Sequence, residues 1–312
     1  MNSAKQEKVR ALFNKQNVSI ALIDSGLGGL SICAEMEKAL QRHPLFQNVS
    51  LSYFNVWPEQ NRGYNTLSRI ADRIRVFNGA LDGIKKFAPD LIMIACNTLS
   101  ALYDRTAFSR DTAIPVIDII DFGVNLIHSR LSEIPDSQVL ILGTRTTISE
   151  NTHKKKLIPK GIDADRIKNQ ACHGVATEIE KDPESQTVID LIDGYVREAA
   201  AKIKDRRHTV LAALCCTHFG YSRHIFLQKI KMHITDKVEV LNPNTPMSSF
   251  LFSEGSHVNF PESDIDIKVV SKIVLDDTKI SSISNLIRNV SIKAADALEN
   301  YEYKPDLFTL SC

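Results

Sequence analysis

Two cysteines stand where a strand-like apolar run gives way to small hydrogen-bonding residues. They are Cys96 in Leu91-Ile92-Met93-Ile94-Ala95-Cys96-Asn97-Thr98 and Cys216 in Val210-Leu211-Ala212-Ala213-Leu214-Cys215-Cys216-Thr217-His218. Each follows an earlier apolar run that ends in a polar turn, Ile23-Asp24-Ser25-Gly26 and Leu142-Gly143-Thr144-Arg145. The spacing repeats, since 96 − 24 and 216 − 144 both give 72. Such repetition suggests two similar half-molecules, each presenting one thiol at a strand end. Two thiols on opposite faces of one carbon can remove a proton from one side and deliver a proton to the other.

An unpaired cysteine at the end of an apolar strand is, taken singly, more often core than chemistry. The matched offset and the polar residues after each sulfur weigh against that reading for Cys96 and Cys216. Cys215 is a strand-interior neighbour and should point to the other side. Cys33, Cys172 and Cys312 read as structural or incidental. His218, two residues after Cys216, can favour a thiolate or exchange a proton with a substrate amine. An unperturbed thiol of pKa ~8.5 is only about 3% ionised at pH 7, and lowering it to about 7 takes ~2 kcal/mol. The Cα–H of an amino acid is far less acidic than a thiol. Placement, desolvation and stabilisation of the developing carbanion must therefore lower the barrier.

Asp24-Ser25-Gly26-Leu27-Gly28-Gly29-Leu30 follows a strand and opens a helix, where glycines let the backbone approach an anion. A dinucleotide fingerprint would need glycine or alanine where Ser31 stands, and Asp24 would repel a pyrophosphate. The loop amides suit a small carboxylate, with Asp24 left for an amine or for polarising a thiol. The hydroxyls of Thr144, Thr146 and Thr147 could bind a carboxylate, cap the following helix, or both.

These residues need elements to position them. Strand-like runs at Val18–Ile23, Val49–Phe54, Leu91–Ala95, Val116–Ile120, Gln138–Leu142, Val210–Leu214 and Val238–Leu241 alternate with helix candidates. The latter include Leu30–Arg42, Leu67–Phe87 and Val188–Asp205. Alternation of this kind predicts the α/β class, with parallel sheets covered on both faces. Ligands in such sheets collect beyond the carboxyl ends of the strands, where every motif above falls. Breaks are expected near Pro115–Asp121 and Lys231–Asp236, with no Pro/Gly/Ser-rich linker at either. A further helix is expected over Ser281–Tyr301, and Tyr303–Cys312 reads as a tail.

The 312 residues are 43% hydrophobic and 24% charged, with a net charge of +1. That balance suits a globular protein of about two domains and gives no electrostatic case for nucleic acid or membrane partners. No apolar stretch approaches the ~18 residues of a membrane span. Residues 1–17 read as a polar leader, a solvated helix or a frayed segment, rather than a signal peptide. No Cys-x-x-Cys occurs among the six cysteines, which argues against a zinc ribbon or a disulfide scaffold and for a reducing cytoplasm.

Taken in order, Asp24-Ser25-Gly26-Leu27-Gly28-Gly29-Leu30, Ala95-Cys96-Asn97-Thr98, Thr144-Arg145-Thr146-Thr147 and Cys216-Thr217-His218-Phe219 resemble the cofactor-independent glutamate racemases of the aspartate/glutamate racemase superfamily. Ala171-Cys172 followed by Glu180, and Asn242-Pro243, fit later segments of the same pattern, which extends over about residues 18–245. The resemblance implies two pseudo-symmetric, doubly wound parallel-sheet domains with the active site in the cleft between them. The first domain would comprise 18–118 plus the returning segment 232–312, and the second 119–231. It implies that Cys96 and Cys216 exchange protons with Cα, assisted by Asp24 and His218, with Glu180 a further participant. Ser25, Tyr64, Asn97, Thr98, Thr144, Thr147 and Thr217 would bind the substrate. No pyridoxal phosphate and no metal are implied. The partner is a small amino acid, the assembly a homodimer in the cytoplasm, and the role D-glutamate supply for peptidoglycan.

The chain departs from that pattern in places. Where the family has Asp-Thr-Ala-Arg-x-Pro-Tyr-Gly, it reads Asn55-Val56-Trp57-Pro58-Glu59-Gln60-Asn61-Arg62-Gly63-Tyr64-Asn65. Gly220-Tyr221 replaces Pro-Leu after Cys-Thr-His-Phe, and His173 replaces a proline after Cys172. Competing expectations are a superfamily racemase of aspartate, of a broad range of amino acids or of a hydantoin, an arylmalonate-type decarboxylase, and a non-catalytic binding protein on the same fold. Two retained cysteines argue against the decarboxylase, because one-sided proton delivery needs only one. Asp24, Cys96, Cys216 and His218 together argue against loss of catalysis.

Overall fold

A computed structural model of the chain describes residues 3–253 and 260–309. It divides into two compact units, residues 1–118 with 247–312 and residues 119–246. Cys312, at the end of the expected tail, lies outside the described residues.

The first unit holds β1 (Asn17–Asp24), β2 (Asn48–Asn55), β3 (Leu91–Ile94), β4 (Val116–Asp118), β9 (Asp264–Ser271) and β10 (Glu302–Tyr303). They form one sheet in the order β10-β9-β2-β1-β3-β4, every pair parallel. The second unit holds β5 (Gln138–Gly143), β6 (Ile167–Ala171), β7 (Val210–Cys215) and β8 (Val238–Leu241), ordered β6-β5-β7-β8 and again all parallel. The four strands of the second sheet repeat the 2-1-3-4 order of the first. Both sheets are therefore doubly wound, and strand order reverses at β1 and at β5. Buried strand interiors such as Leu91–Ile94 and Val210–Cys215 explain the unbroken apolar runs: both faces are covered.

Several elements differ from their sequence expectation. Val238–Leu241 pairs with β7, so residues 232–246 belong to the second unit, not to the returning segment of the first. Three strands were not legible, the two-residue Glu302–Tyr303 among them. Ile167–Ala171 is a polar edge strand with only Ile167 and Gln170 buried, and Asp264–Ser271 interleaves charges with its apolar residues. The helix expected over Leu67–Phe87 is shorter, Ile70–Lys85, because Leu67 and Arg69 are extended. That expected over Val188–Asp205 runs Gln186–Ala200, capped by the Ser185 hydroxyl on the Val188 amide. Ser281–Tyr301 is two helices, Asp277–Arg288 and Ile292–Glu299, and the Ser291 hydroxyl caps the second at Ala294.

The first and last described segments are both packed into the first unit. The expected polar leader contains a helix, Ser3–Leu12, whose Val9 and Leu12 are buried. The expected tail pairs Glu302–Tyr303 with β9, then buries Leu307 and Phe308 in the same apolar cluster as Cys96 and Tyr64. This strap lies across the helix Ile70–Lys85 where that helix is smallest. A Cβ on Gly83 would stand 2.0 Å from the Leu307 carbonyl oxygen. Replacing Gly83→Ala should therefore lift the strap and expose Leu307 and Phe308, at a cost of about 2–5 kcal/mol. Urea unfolding would show it as a lower midpoint, with early proteolytic loss of the carboxy terminus; an unchanged midpoint would contradict the packing.

Candidate active site

In the first unit the parallel ladder sets Ile23 of β1 beside Ile94 of β3, and the Ala95 amide donates to the Ile23 carbonyl. Two steps further along the same register, Ser25 stands beside Cys96. Ser25 Oγ and Cys96 Sγ share a hydrogen bond of 3.1 Å. In the second unit Gly143 pairs with Cys215, which carries Thr144 to the level of Cys216. The equal separations of 72 thus hide a one-residue offset in register. The hydroxyl-bearing residue that the register sets beside each cysteine is Ser25 in one sheet and Thr144 in the other. Both pairs lie at the carboxyl ends of the two strands where strand order reverses, the usual place for ligands in this class of sheet.

Asp24 is buried, and its carboxylate folds back on the loop it opens. Oδ1 accepts from the Ser25 amide at 2.7 Å and Oδ2 from the Gly29 amide at 2.7 Å. Those two amides, expected to face a ligand carboxylate, are thus taken by the protein's own carboxylate. Gly29 is required by this closeness, since a Cβ there would lie 2.9 Å from Asp24 Oδ2. The Tyr53 hydroxyl fixes the other side of the turn by donating to the Gly26 carbonyl at 2.7 Å. Burial pushes the Cys96 thiol well up and the nearby Asp24 charge adds to it, while hydrogen bonds from Ser25 and the Leu99 amide oppose. Cys96 therefore rests as a neutral thiol.

Asn97 and Thr98 open the helix Asn97–Tyr103 and are buried. Both side-chain polar atoms of Asn97 are enclosed without a hydrogen-bond partner, and so is the Tyr64 hydroxyl. Buried polar groups are rarely left so, and Asn97, directly after Cys96, offers both of its amide atoms at that strand end.

The second unit is arranged differently around its sulfur. Cys216 Sγ lies 3.7 Å from His218 Nδ1, and His218 Nε2 meets Glu180 Oε1 at 2.7 Å. Glu180 comes from the helix Val175–Lys181, and both it and His218 are buried. Burial alone would pull His218 down. Its hydrogen bonds to Cys216 and Glu180 and their charges outweigh that, and hold it well above the ordinary value. Sulfur, imidazolium and carboxylate form one line. Thr217 Oγ1 lies 3.5 Å from the same His218 Nδ1, and Asn244 Nδ2 holds the Thr217 carbonyl at 3.0 Å. The Thr144 hydroxyl accepts from the Thr147 amide at 3.3 Å and lies 3.1 Å from Thr147 Oγ1, so Thr144 caps its helix and keeps Thr147 close. The chain's Gly220 makes room for Asn242, whose Nδ2 would lie 3.0 Å from a Cβ there.

The sequence did not reveal Asn244, Asn55 or Trp57. Asn55 holds the Trp57 amide and the Ser271 hydroxyl at the ends of β2 and β9, a link across 216 residues that no local signal announces. Among the described residues, no three His, Cys, Asp or Glu side chains are grouped to hold a metal ion, and all five described cysteines are free. No helix among them is long and apolar enough to cross a membrane.

Glu180→Gln tests the line through His218. A folded-state value raised above 6.5 means the pair stabilises fully below that pH and less as pH rises through the raised value. The variant should lose about 3 kcal/mol at neutral pH, the loss fading in alkali, and should move the alkaline limb of any activity to lower pH. Unfolding free energies from pH 6 to 10 that run parallel for both proteins would contradict it.

Comparison with known proteins places this geometry. The family model described as Asp/Glu/Hydantoin racemase matches residues 20–245. A glutamate racemase of Campylobacter jejuni is 31% identical over 144 residues, 46% of this chain and 53% of that protein, so the alignment spans about half of its length. A glutamate racemase of Aquifex pyrophilus is 24% identical over 266 residues, 83% of this chain and 94% of that protein. The crystal structure of glutamate racemase from Francisella tularensis, in complex with D-glutamate, superposes with a TM-score of 0.66 at 19% identity, covering 88% of this chain and 94% of that one. At that identity the likeness speaks for the fold. The family match spans most of the sequence and contains both cysteines: the chain belongs to the Asp/Glu/hydantoin racemase family.

Proposed function

We propose that the protein is an amino-acid racemase that interconverts L- and D-glutamate, with Cys96 and Cys216 as the two acid/base groups and no pyridoxal phosphate. One observation carries the reading. Equivalent strand ends in two sheets of the same topology each present a thiol, and the two thiols differ in what stands behind them. Cys96 has a hydroxyl, Ser25, and rests protonated. Cys216 has a protonated histidine backed by a carboxylate.

That difference assigns starting roles. Cys96 holds a proton to give, while the Cys216–His218–Glu180 line can take one up and relay it. Cys216 then removes the Cα proton of L-glutamate as Cys96 reprotonates the opposite face, and the roles reverse for D-glutamate. Asn97 and Thr98 in one half-site, and Thr144, Thr147 and Thr217 in the other, supply neutral donors for the substrate's polar ends. Neutral donors stabilise the carbanion's charge as it spreads into the adjacent carboxylate, where fixed dipoles are most effective. The glutamate racemases among the relatives support glutamate as the substrate, and D-glutamate for peptidoglycan as its use.

Purified protein incubated in D₂O with L-glutamate, without added pyridoxal phosphate, should place deuterium at Cα and lose optical rotation. Exchange with aspartate but not glutamate would change the substrate and keep the chemistry. Cys96→Ala and Cys216→Ala should each reduce racemisation by at least about a thousandfold, in line with loss of a group acting as part of a unit. Full activity in either variant would remove that cysteine from the reaction.

A further inference from the structure

The ladder that sets Ala213 opposite Leu241 brings β7 and β8 out side by side, so the residues after each strand meet at the edge where Cys216 lies. After β7 comes the tight turn Thr217–Gly220, which carries His218. After β8 comes Asn242-Pro243-Asn244, and both asparagine side chains reach that turn. Asn242 Oδ1 accepts from the Asn244 amide at 3.2 Å, which bends the segment back on itself. Asn244 is 6% exposed, and its Nδ2 donates to the Thr217 carbonyl at 3.0 Å.

Gly220 ends the turn where the family pattern has proline, and the reason is space. Among the described residues the glycines with positive φ are Gly161 and Gly174, so Gly220 is not there for a left-handed backbone. A Cβ on it would stand 3.0 Å from Asn242 Nδ2 and 3.6 Å from Asn244 Nδ2. Any larger residue would press on the first amide and touch the second. The glycine and the two asparagines, more than twenty positions apart in the chain, are one built unit.

The Thr217 carbonyl belongs to the peptide that leads into His218. Holding it sets the direction in which the imidazole leaves the chain. The charged groups acting on that imidazole are Glu180, from the helix Val175–Lys181, and Cys216, on its own turn. Asn242 and Asn244 bring neutral amides, which can hold the turn without altering that balance.

We propose that Asn244 is a positioning residue for the Cys216 half-site, fixing the turn that keeps His218 in line with the sulfur and Glu180, and that Gly220 and Asn242 set Asn244 in place. The proposal rests on the racemase reading above and adds residues that touch neither substrate nor sulfur. Asn244 moves no proton; it acts through the direction of the His218 side chain.

Asn244→Leu keeps the bulk and removes the donor. In D₂O with glutamate, kcat for exchange at Cα should fall about tenfold to a hundredfold, with KM changed less than about threefold. The alkaline limb of kcat should also move to lower pH, as the imidazole loses its alignment with Cys216 and Glu180. A fall that is the same at every pH would report only lost folded protein and overturn the role. So would a wild-type rate and profile, or a raised KM with unchanged kcat. Where that variant does not fold, Gly220→Ala carries the test. It should slow exchange about threefold to tenfold with Asn242 present, and less than about twofold beside Asn242→Ala, where the Cβ has room. Equal slowing in both backgrounds would overturn the proposal and leave the racemase reading standing. Absence of exchange by the wild type with every amino acid tried would remove that reading and this role together.

Discussion

Parallel pairing of β1 with β3, and of β5 with β7, is the constraint from which the chemistry of each unit follows. A parallel ladder brings the carboxyl ends of neighbouring strands to one edge, so residues far apart in the chain emerge side by side. Ile23 opposite Ile94 delivers Ser25 to Cys96, and Gly143 opposite Cys215 delivers Thr144 to Cys216. Slipping either pair by one residue would turn each cysteine to the other face of its sheet and away from the residue that now stands beside it. The Asp24 carboxylate then fixes what the ladder has brought together. By holding the Ser25 and Gly29 amides it sets the turn that aims the Ser25 hydroxyl at the sulfur.

The two half-sites share a topology but not an electrostatic setting. In the first, burial and an anionic neighbour keep the thiol protonated and a hydroxyl is its partner. In the second, a buried imidazolium faces the sulfur and is itself held by Glu180. A reaction that must run equally well in both directions needs one group ready to give a proton and another ready to receive one. Asymmetry of this kind meets that need without a difference in fold. It also explains why a buried ion pair is retained at Glu180–His218. Desolvating two charges contributes little to stability by itself, but it fixes the protonation state of the residue next to the sulfur.

Much of this was legible in the sequence, and the exceptions have physical reasons. Leu30–Arg42 and Val238–Leu241 have the bounds that apolar periodicity predicts, because burial on defined faces wrote the pattern. Ile167–Ala171 lies at a sheet edge, where one side of a strand need not be apolar, and its polar residues hid it. The strap at Leu307–Phe308 rests on two apolar residues and a glycine more than two hundred positions away. The motifs around Asp24, Cys96 and Cys216 stood out through residue type and order. The matched spacing of 72 pointed to the right duplication by way of partners one residue out of register. Resemblance marked Glu180 as a further participant, but its pairing with His218 was not legible, since nothing local links a helix residue to a turn 38 positions later. The loop carrying Tyr64 was opaque because its clamp, Gln60 on Val274, joins residues 214 positions apart.

At the centre of this account is the claim that each sulfur serves one face of one carbon. The most direct measurement follows loss of deuterium from Cα-deuterated L- and D-glutamate in ordinary water, using the two single-cysteine variants separately. The account predicts that each variant releases deuterium from one enantiomer alone, that the enantiomer differs between the variants, and that neither variant racemises its substrate. Release from both enantiomers by one variant would mean that a single group reaches both faces, and would contradict it.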